Sequence, residues 1–247
     1  MPVPASNKLR GVIGNQLFKR SARDYQQFFD PARTEGPSGL SDPPRPFVLR
    51  SAHLDGAAIP PGGEFQFTMH LFDLRNAWQD ALAEALRDTG DWQLIEVAAD
   101  RPLTLDLSPA PEPIPRIKLR FETPMELKTR GGLATTPEFG ILAARIRDRI
   151  STLSELYGDG PLPLDFAAFG ERASAVKLTR CEIHRVNAER RSGSTGQTHS
   201  LGGFVGEAEY AGELAEFLPF LRAAQWTGVG RQTTWGKGAF SIGERVL

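Results

Sequence analysis

The segment Gly228-Val229-Gly230-Arg231-Gln232-Thr233-Thr234-Trp235-Gly236-Lys237-Gly238-Ala239-Phe240 sets four glycines among two cations, two hydroxyls and two aromatics. Glycine takes positive φ and lets a backbone come close to a ligand. Successive amides in such turns form an anion-binding concavity, to which Arg231 and Lys237 add charge. Phosphate suits this composition, with Gly230, Gly236 and Gly238 permitting the approach. Gly228-x-Gly230 lacks the third glycine of the dinucleotide fingerprint, and no G-x-x-x-x-G-K-[ST] occurs. Phosphate contact without a nucleotide motif points to a polynucleotide backbone. A glycine-rich hairpin that merely turns the chain accounts for the same residues.

The elements that position this segment follow from periodicity. Leu9, Val12, Ile13 and Leu17 recur at helical spacing behind a Ser6 or Asn7 cap. A Pro/Gly/Ser-rich loop is expected from about Asp24 to Arg45. Phe47 to Ser51 reads as a short strand. Phe65, Phe67, Met69 and Leu71 alternate with polar residues in a longer one. Trp78, Leu82 and Leu86 mark a helix, Trp92 to Ala98 another strand, and Leu103 to Leu107 a further one. This order is a ferredoxin-like βαββαβ unit without its first strand. The gap implies that the true start lies upstream or that another segment fills it.

A proline-rich linker, residues 109–115, then separates a first domain, 1–108, from a second, 116–247. In the second, Ile117, Leu119 and Phe121 alternate with Arg116, Lys118 and Arg120. Phe139, Leu142, Ile146, Ile150 and Leu153 define a helix. Val176–Val186 and Leu201–Tyr210 pair as strands, Leu214 to Leu221 forms a short helix, and Ala239–Ile242 a last strand. The fold class is therefore α+β, with tandem ferredoxin-like (RRM-like) domains.

Composition bounds the function loosely. The net charge of −1 does not itself announce nucleic acid, so cation clustering has to carry that reading. The lone Cys181 excludes an internal disulfide and argues against a thiolate zinc site. No signal core or membrane-spanning run appears, so a cytoplasmic protein with no membrane partner is expected. No metal or cofactor motif is found.

Gly202-Gly203-Phe204-Val205-Gly206-Glu207, Phe217-Leu218-Pro219-Phe220-Leu221 and the segment from Gly228 through Gly238 together form a recognisable C-terminal signature. The ordered set resembles the CRISPR-associated endoribonucleases that cut repeat RNA precursors, members of the repeat-associated mysterious protein (RAMP) superfamily. Leu9-Arg10-Gly11-Val12-Ile13-Gly14, Pro43-Pro44-Arg45-Pro46-Phe47-Val48-Leu49-Arg50 and Thr123-Pro124-Met125-Glu126-Leu127-Lys128 follow the family's N-terminal order. The resemblance runs through nearly the whole chain. It implies the same tandem architecture, and metal-free cleavage by attack of a ribose 2′-hydroxyl on the adjacent phosphate, leaving a 2′,3′-cyclic phosphate. CRISPR repeat RNA or its processed crRNA would be the partner, and the product could be retained.

That chemistry needs a base at the 2′-hydroxyl, an acid at the leaving 5′ oxygen and cations on the phosphorane. Histidine suits proton transfer near neutral pH, and there are four: His53, His70, His184 and His199. His184 shares a strand face with Arg180 and Glu182. His199 follows the polar run Arg190-Arg191-Ser192-Gly193-Ser194, a loop suited to gripping a phosphate backbone. The family's early histidine has no counterpart between Met1 and Ala52; Asn15 stands where related chains often carry it. The catalytic candidates are thus His53, Tyr25, Lys19 and His199. The RNA-contact candidates are Arg231, Lys237, Arg190 and Arg191 with the three glycines. Trp235 could stack on a base or be buried beneath the loop. Two alternatives stay open: a non-catalytic RNA-binding RAMP subunit joined to other CRISPR effector subunits, and a scaffold whose glycine segment only turns.

Overall fold

The computed structural model describes residues 1, 4–31, 43–129, 131–186, 189–191, 198–200 and 202–243, with 189–191 and 198–200 in backbone only. The chain divides into two compact units. The first comprises Met1–Thr104, Thr152–Pro161 and Thr234–Gly236; the second comprises Leu105–Ser151, Leu162–Thr233 and Lys237–Leu247.

In the first unit, α1 (Ala5–Arg20) buries Ala5, Leu9, Ile13 and Leu17, a stripe at four-residue spacing that excludes solvent completely. A second helix, α2 (Ala22–Phe29), occupies part of the expected Asp24–Arg45 loop. Ser21 caps it by accepting from the Asp24 amide at 3.1 Å. The rest of that loop, residues 32–42, lies outside the described residues. Phe28 stacks on Phe47 with ring centroids 4.6 Å apart and meets Trp78 at 4.9 Å. These rings join α2 to β1 (Phe47–Arg50) and α3 (Trp78–Ala85). β1 pairs antiparallel with β2 (Thr68–Leu71), Phe47 opposite Leu71 and Arg50 opposite Thr68. Asp73, just before α3, accepts from Arg75, Asn76 and the Trp78 indole. Burial works against its charge, but these hydrogen bonds prevail and hold its carboxyl below the usual range.

The strands expected at Trp92–Ala98 and Leu103–Leu107 do not form. Gln93 makes an isolated bridge to Asp88, and Ile95, Val97 and Leu103 are exposed. The complete second unit shows why. There the last strand pairs only with the first. The first unit has no strand ahead of α1 among its described residues, so its fourth segment has no ladder to join.

The second unit is the full ferredoxin-like cycle, its four strands lying in the order Phe240–Ile242, Arg116–Met125, Gly203–Ala211, Lys177–Val186. β3 (Arg116–Met125) leads through the small β4–β5 hairpin (Lys128–Thr129, Gly132–Leu133) to α4 (Phe139–Tyr157) and α5 (Phe166–Ala175). β6 (Lys177–Val186), the short β7–β8 ribbon (Glu189–Arg191, Thr198–Ser200), β9 (Gly203–Ala211), α6 (Leu218–Thr227) and β10 (Phe240–Ile242) follow. Leu119, Phe121, Phe204 and Ala208 face the helices and are buried. Tyr210 is fully buried, with its ring 5.1 Å from that of Phe139 and its hydroxyl donating to the Pro137 carbonyl at 2.7 Å. Burial pushes that hydroxyl's pKa well up. The α+β class with ferredoxin-like domains is the observed fold, although the first unit carries a two-stranded sheet. No helix among the described residues is long and apolar enough to cross a membrane.

Candidate functional site

The glycine segment begins where α6 ends, at Gly228 with φ 67°. Gly230, Gly236 and Gly238 also take positive φ, as does the non-glycine Gln232 at 62°. Gly230 and Gly238 meet protein backbone at close range. A Cβ on Gly230 would lie 2.3 Å from the Glu126 carbonyl oxygen, and one on Gly238 only 1.9 Å from that of Val229. The amides of Val229, Arg231 and Gly238 donate to the carbonyls of Gly238, Glu126 and Pro124 at 3.1–3.2 Å. Glycine is required here so that the segment can lie against β3 and its continuation; three of its amides already serve protein carbonyls.

Beneath it lies Glu126, 6% exposed. Its Oε2 is 3.5 Å from the Arg231 guanidinium and 3.8 Å from the Lys237 ammonium. Lys237, 4% exposed, donates to Gln232 Oε1 at 2.8 Å. The two expected phosphate contacts thus differ. Arg231 keeps about half its side chain in solvent, 54%, whereas Lys237 points inward at a carboxylate and an amide. Burial pushes the Lys237 pKa down to about 8, against the pull of Glu126, with Arg231 adding to the depression. In the unfolded chain the amine titrates at its ordinary 10.5. Between those values the unfolded state binds more protons, so stability rises with pH across the window from about 8 to 10.5. The gain is at most about 3 kcal/mol, and Lys237→Met should remove it. Urea midpoints of parent and variant at pH 7.5 and 10.5 check this; parallel midpoints would refute the assignment.

In the first unit, Ser6 Oγ donates to the Trp235 carbonyl at 2.6 Å, and a Cβ on Gly236 would lie 3.5 Å from the Leu49 carbonyl oxygen. The Arg10 guanidinium lies 5.2 Å from the Trp235 ring centroid and 5.3 Å from that of Phe29. Trp235 is therefore half-buried and engaged by a cation. Thr234–Gly236 packs beside the start of α1 and the end of β1, and His53 follows four residues after Leu49 in the turn Ala52–Leu54. His53 is exposed, and its Nε2 is 3.0 Å from the Gln66 carbonyl oxygen. A carbonyl only accepts, so Nε2 carries the proton and Nδ1 keeps its lone pair. This imidazole is oriented as a base.

Lys19 is not gathered with it. Asp55 accepts from the Ala5 amide at 2.7 Å, tying the histidine turn to the N-terminal end of α1. Lys19 lies near the other end, about 21 Å along the axis at 1.5 Å per residue. Tyr25 is half-buried, stacked on Phe29 at 5.5 Å with Phe18 against its edge at 5.3 Å. In the β7–β8 ribbon, Arg190 stands opposite His199 and Arg191 opposite Thr198. The side chains of these residues, and all of 192–197, lie outside the described residues.

The open face of the second unit's sheet is an ion-pair lattice. Lys118 binds Glu207 at 2.7 Å, while Arg180 binds Glu182 at 2.8 Å and Glu209 at 3.4 Å. The hydrogen bond from Lys118 holds the Glu207 carboxyl below its usual range. Carboxylates on the central strand oppose phosphate there, so this face does not resemble an aromatic RNA platform. Glu126, Gln232, Arg10 and Gln66 were not singled out from sequence as functional. Glu126 had a visible signal, a lone acid between Met125 and Leu127 in an alternating apolar run.

Residues 119–240 match the family model described as CRISPR-associated endoribonuclease Cas6. That matched segment is similar to the CRISPR-associated endoribonucleases. Among solved structures, a Cas6 product complex aligns over 98% of this chain and 95% of its own, with TM-score 0.62 and 20% identity. Thermus thermophilus Cas6 aligns over 94% and 88%, with TM-score 0.54 and 17% identity. At such identities the likeness speaks for the fold. No curated protein matches the chain in sequence.

Proposed function

We propose that the chain cuts CRISPR repeat RNA without a metal, through attack of a ribose 2′-hydroxyl on the adjacent phosphate. The carrying observation is His53: an exposed imidazole with Nε2 on the Gln66 carbonyl and Nδ1 left as the acceptor. Nδ1 takes the 2′-hydroxyl proton as the oxygen attacks phosphorus. The P–O5′ bond breaks, the 5′ oxygen is protonated by solvent, and a 2′,3′-cyclic phosphate remains. Arg231, and the Arg190 and Arg191 ribbon, contribute phosphate contacts that bind the repeat and retain the product. Lys237 and Glu126 hold the segment from which Arg231 projects. Tyr25, Lys19 and His199 are the remaining candidates for proton transfer or charge stabilisation.

A second reading, an RNA-holding subunit that does not cut and associates with other CRISPR effector subunits, is favoured by Asn15. It lies exposed on α1 where related chains often carry a histidine. One assay separates the two. End-labelled repeat RNA is incubated with the chain in EDTA, beside RNA with a 2′-deoxy substitution at the cut site. Cleavage of the unmodified RNA alone, with a cyclic phosphate product, is expected. Binding without cleavage would favour the second reading, and cleavage of the 2′-deoxy RNA would overturn the mechanism.

A further inference from the structure

The helix α6 buries Leu218, Phe220, Leu221, Ala223, Ala224 and Thr227, and turns Arg222, Gln225 and Trp226 outward. Trp226 is 43% exposed, one turn on from Arg222. Leaving so large an apolar ring partly in water forgoes burial that the helix gives to its smaller neighbours. Beside this face, against the edge strand β10, opens a cavity of about 310 Å³. Ile117, Leu218 and Ile242 contribute its apolar wall, and Arg116 and Arg222 its charge. Both arginines are exposed, and neither forms an ion pair with a described residue. They contrast with Lys118, Arg172 and Arg180, each of which has a carboxylate partner. A solvated helix face explains one free arginine. Two converging on one apolar groove, with an exposed indole a turn away, form the combination that binds single-stranded nucleic acid: cations for the backbone and an aromatic face for a base.

We propose that the groove between α6 and β10 binds a single-stranded stretch of RNA, with phosphates on Arg116 and Arg222 and a base stacked on Trp226. This rests on the RNA reading above but uses different residues. An acidic peptide would satisfy the arginines but would not use the exposed part of the indole ring.

The full chain is titrated against a 5′-fluorescein-labelled oligouridine eight-mer, and separately against repeat RNA, by anisotropy at two salt concentrations. Arg116→Ala/Arg222→Ala should weaken oligouridine binding about ten-fold or more, and reduce the slope of log K against log salt by about 1.4. Trp226→Ala should weaken it about ten-fold, with Trp226→Phe restoring part of the loss. Binding should also quench Trp226 emission, measured as the difference between parent and Trp226→Phe. The arginine variants should melt like the parent, because both side chains are exposed. Variants that bind oligouridine as the parent does overturn the proposal. So does a parent that binds repeat RNA but no oligouridine, and that result leaves the proposed function standing. If the parent binds neither RNA, both fall.

Discussion

His53→Ala should cut repeat RNA about 10²–10⁴-fold more slowly than the parent, with repeat affinity unchanged within about two-fold. The size follows from removing a base that acts in the transition state. The unchanged affinity follows from exposure: the ring lies in a short surface turn. His53→Gln is the sharper control, because an amide can keep a hydrogen bond to the Gln66 carbonyl without acting as a base near neutral pH. Its rate should stay as low as that of the alanine variant. Tyr25→Phe and Lys19→Ala should each cost less than ten-fold by the same reasoning, about one power of ten at most. Single-turnover cleavage with enzyme in excess checks all four. A His53→Ala rate within two-fold of the parent would move the base elsewhere, to Tyr25, Lys19 or His199.

The second unit was largely legible because its signals are mutually consistent. Ile117, Leu119 and Phe121 alternate along β3, Phe204, Ala208 and Tyr210 face the same core from β9, and the Phe139-to-Ile150 stripe is the side of α4 buried against them. In the first unit, α1 announced itself by Leu9, Ile13 and Leu17. The alternation around Ile95, Val97 and Leu103 was a strand pattern without a strand. Alternation reports a side-chain preference, and a ladder also needs a neighbour to accept its hydrogen bonds. Locally, α2 was hidden by the proline-rich stretch that follows it, although Ser21 and Asp24 already wrote its cap.

The site was legible in composition and not in direction. Arg231 and Lys237 look equivalent in sequence, six residues apart among glycines. The fold separates them: the Lys237 ammonium meets the Gln232 amide and the buried Glu126, more than a hundred positions away, while Arg231 keeps about half its side chain in solvent. Likewise, the tautomer that leaves His53 Nδ1 free depends on the Gln66 carbonyl, a backbone group no sequence pattern displays.

Gly238→Ala should lower the unfolding free energy by about 3–4 kcal/mol, and Gly11→Ala should raise it by up to about 1 kcal/mol. At Gly238 φ is 72°, and the added methyl would sit 1.9 Å from the Val229 carbonyl oxygen, a distance no side-chain rotation relieves. The segment must shift. The shift breaks the Val229-to-Gly238 bond at 3.1 Å and the Gly238-to-Pro124 bond at 3.2 Å. Two hydrogen bonds at about 1 kcal/mol each and left-handed strain of 1–2 kcal/mol give the estimate. Gly11 is exposed in α1, with nothing within 4 Å of the added methyl, so alanine there brings only helix propensity and a less flexible unfolded chain. Urea midpoints for the two variants should move in opposite directions. Because Lys237 and Gln232 share the displaced segment, Gly238→Ala should also weaken repeat RNA binding, while Gly11→Ala leaves it unchanged. A Gly238→Ala variant as stable as the parent would mean that Val229 and Gly238 do not meet at this distance in solution, and the reason given for glycine at that position would be wrong.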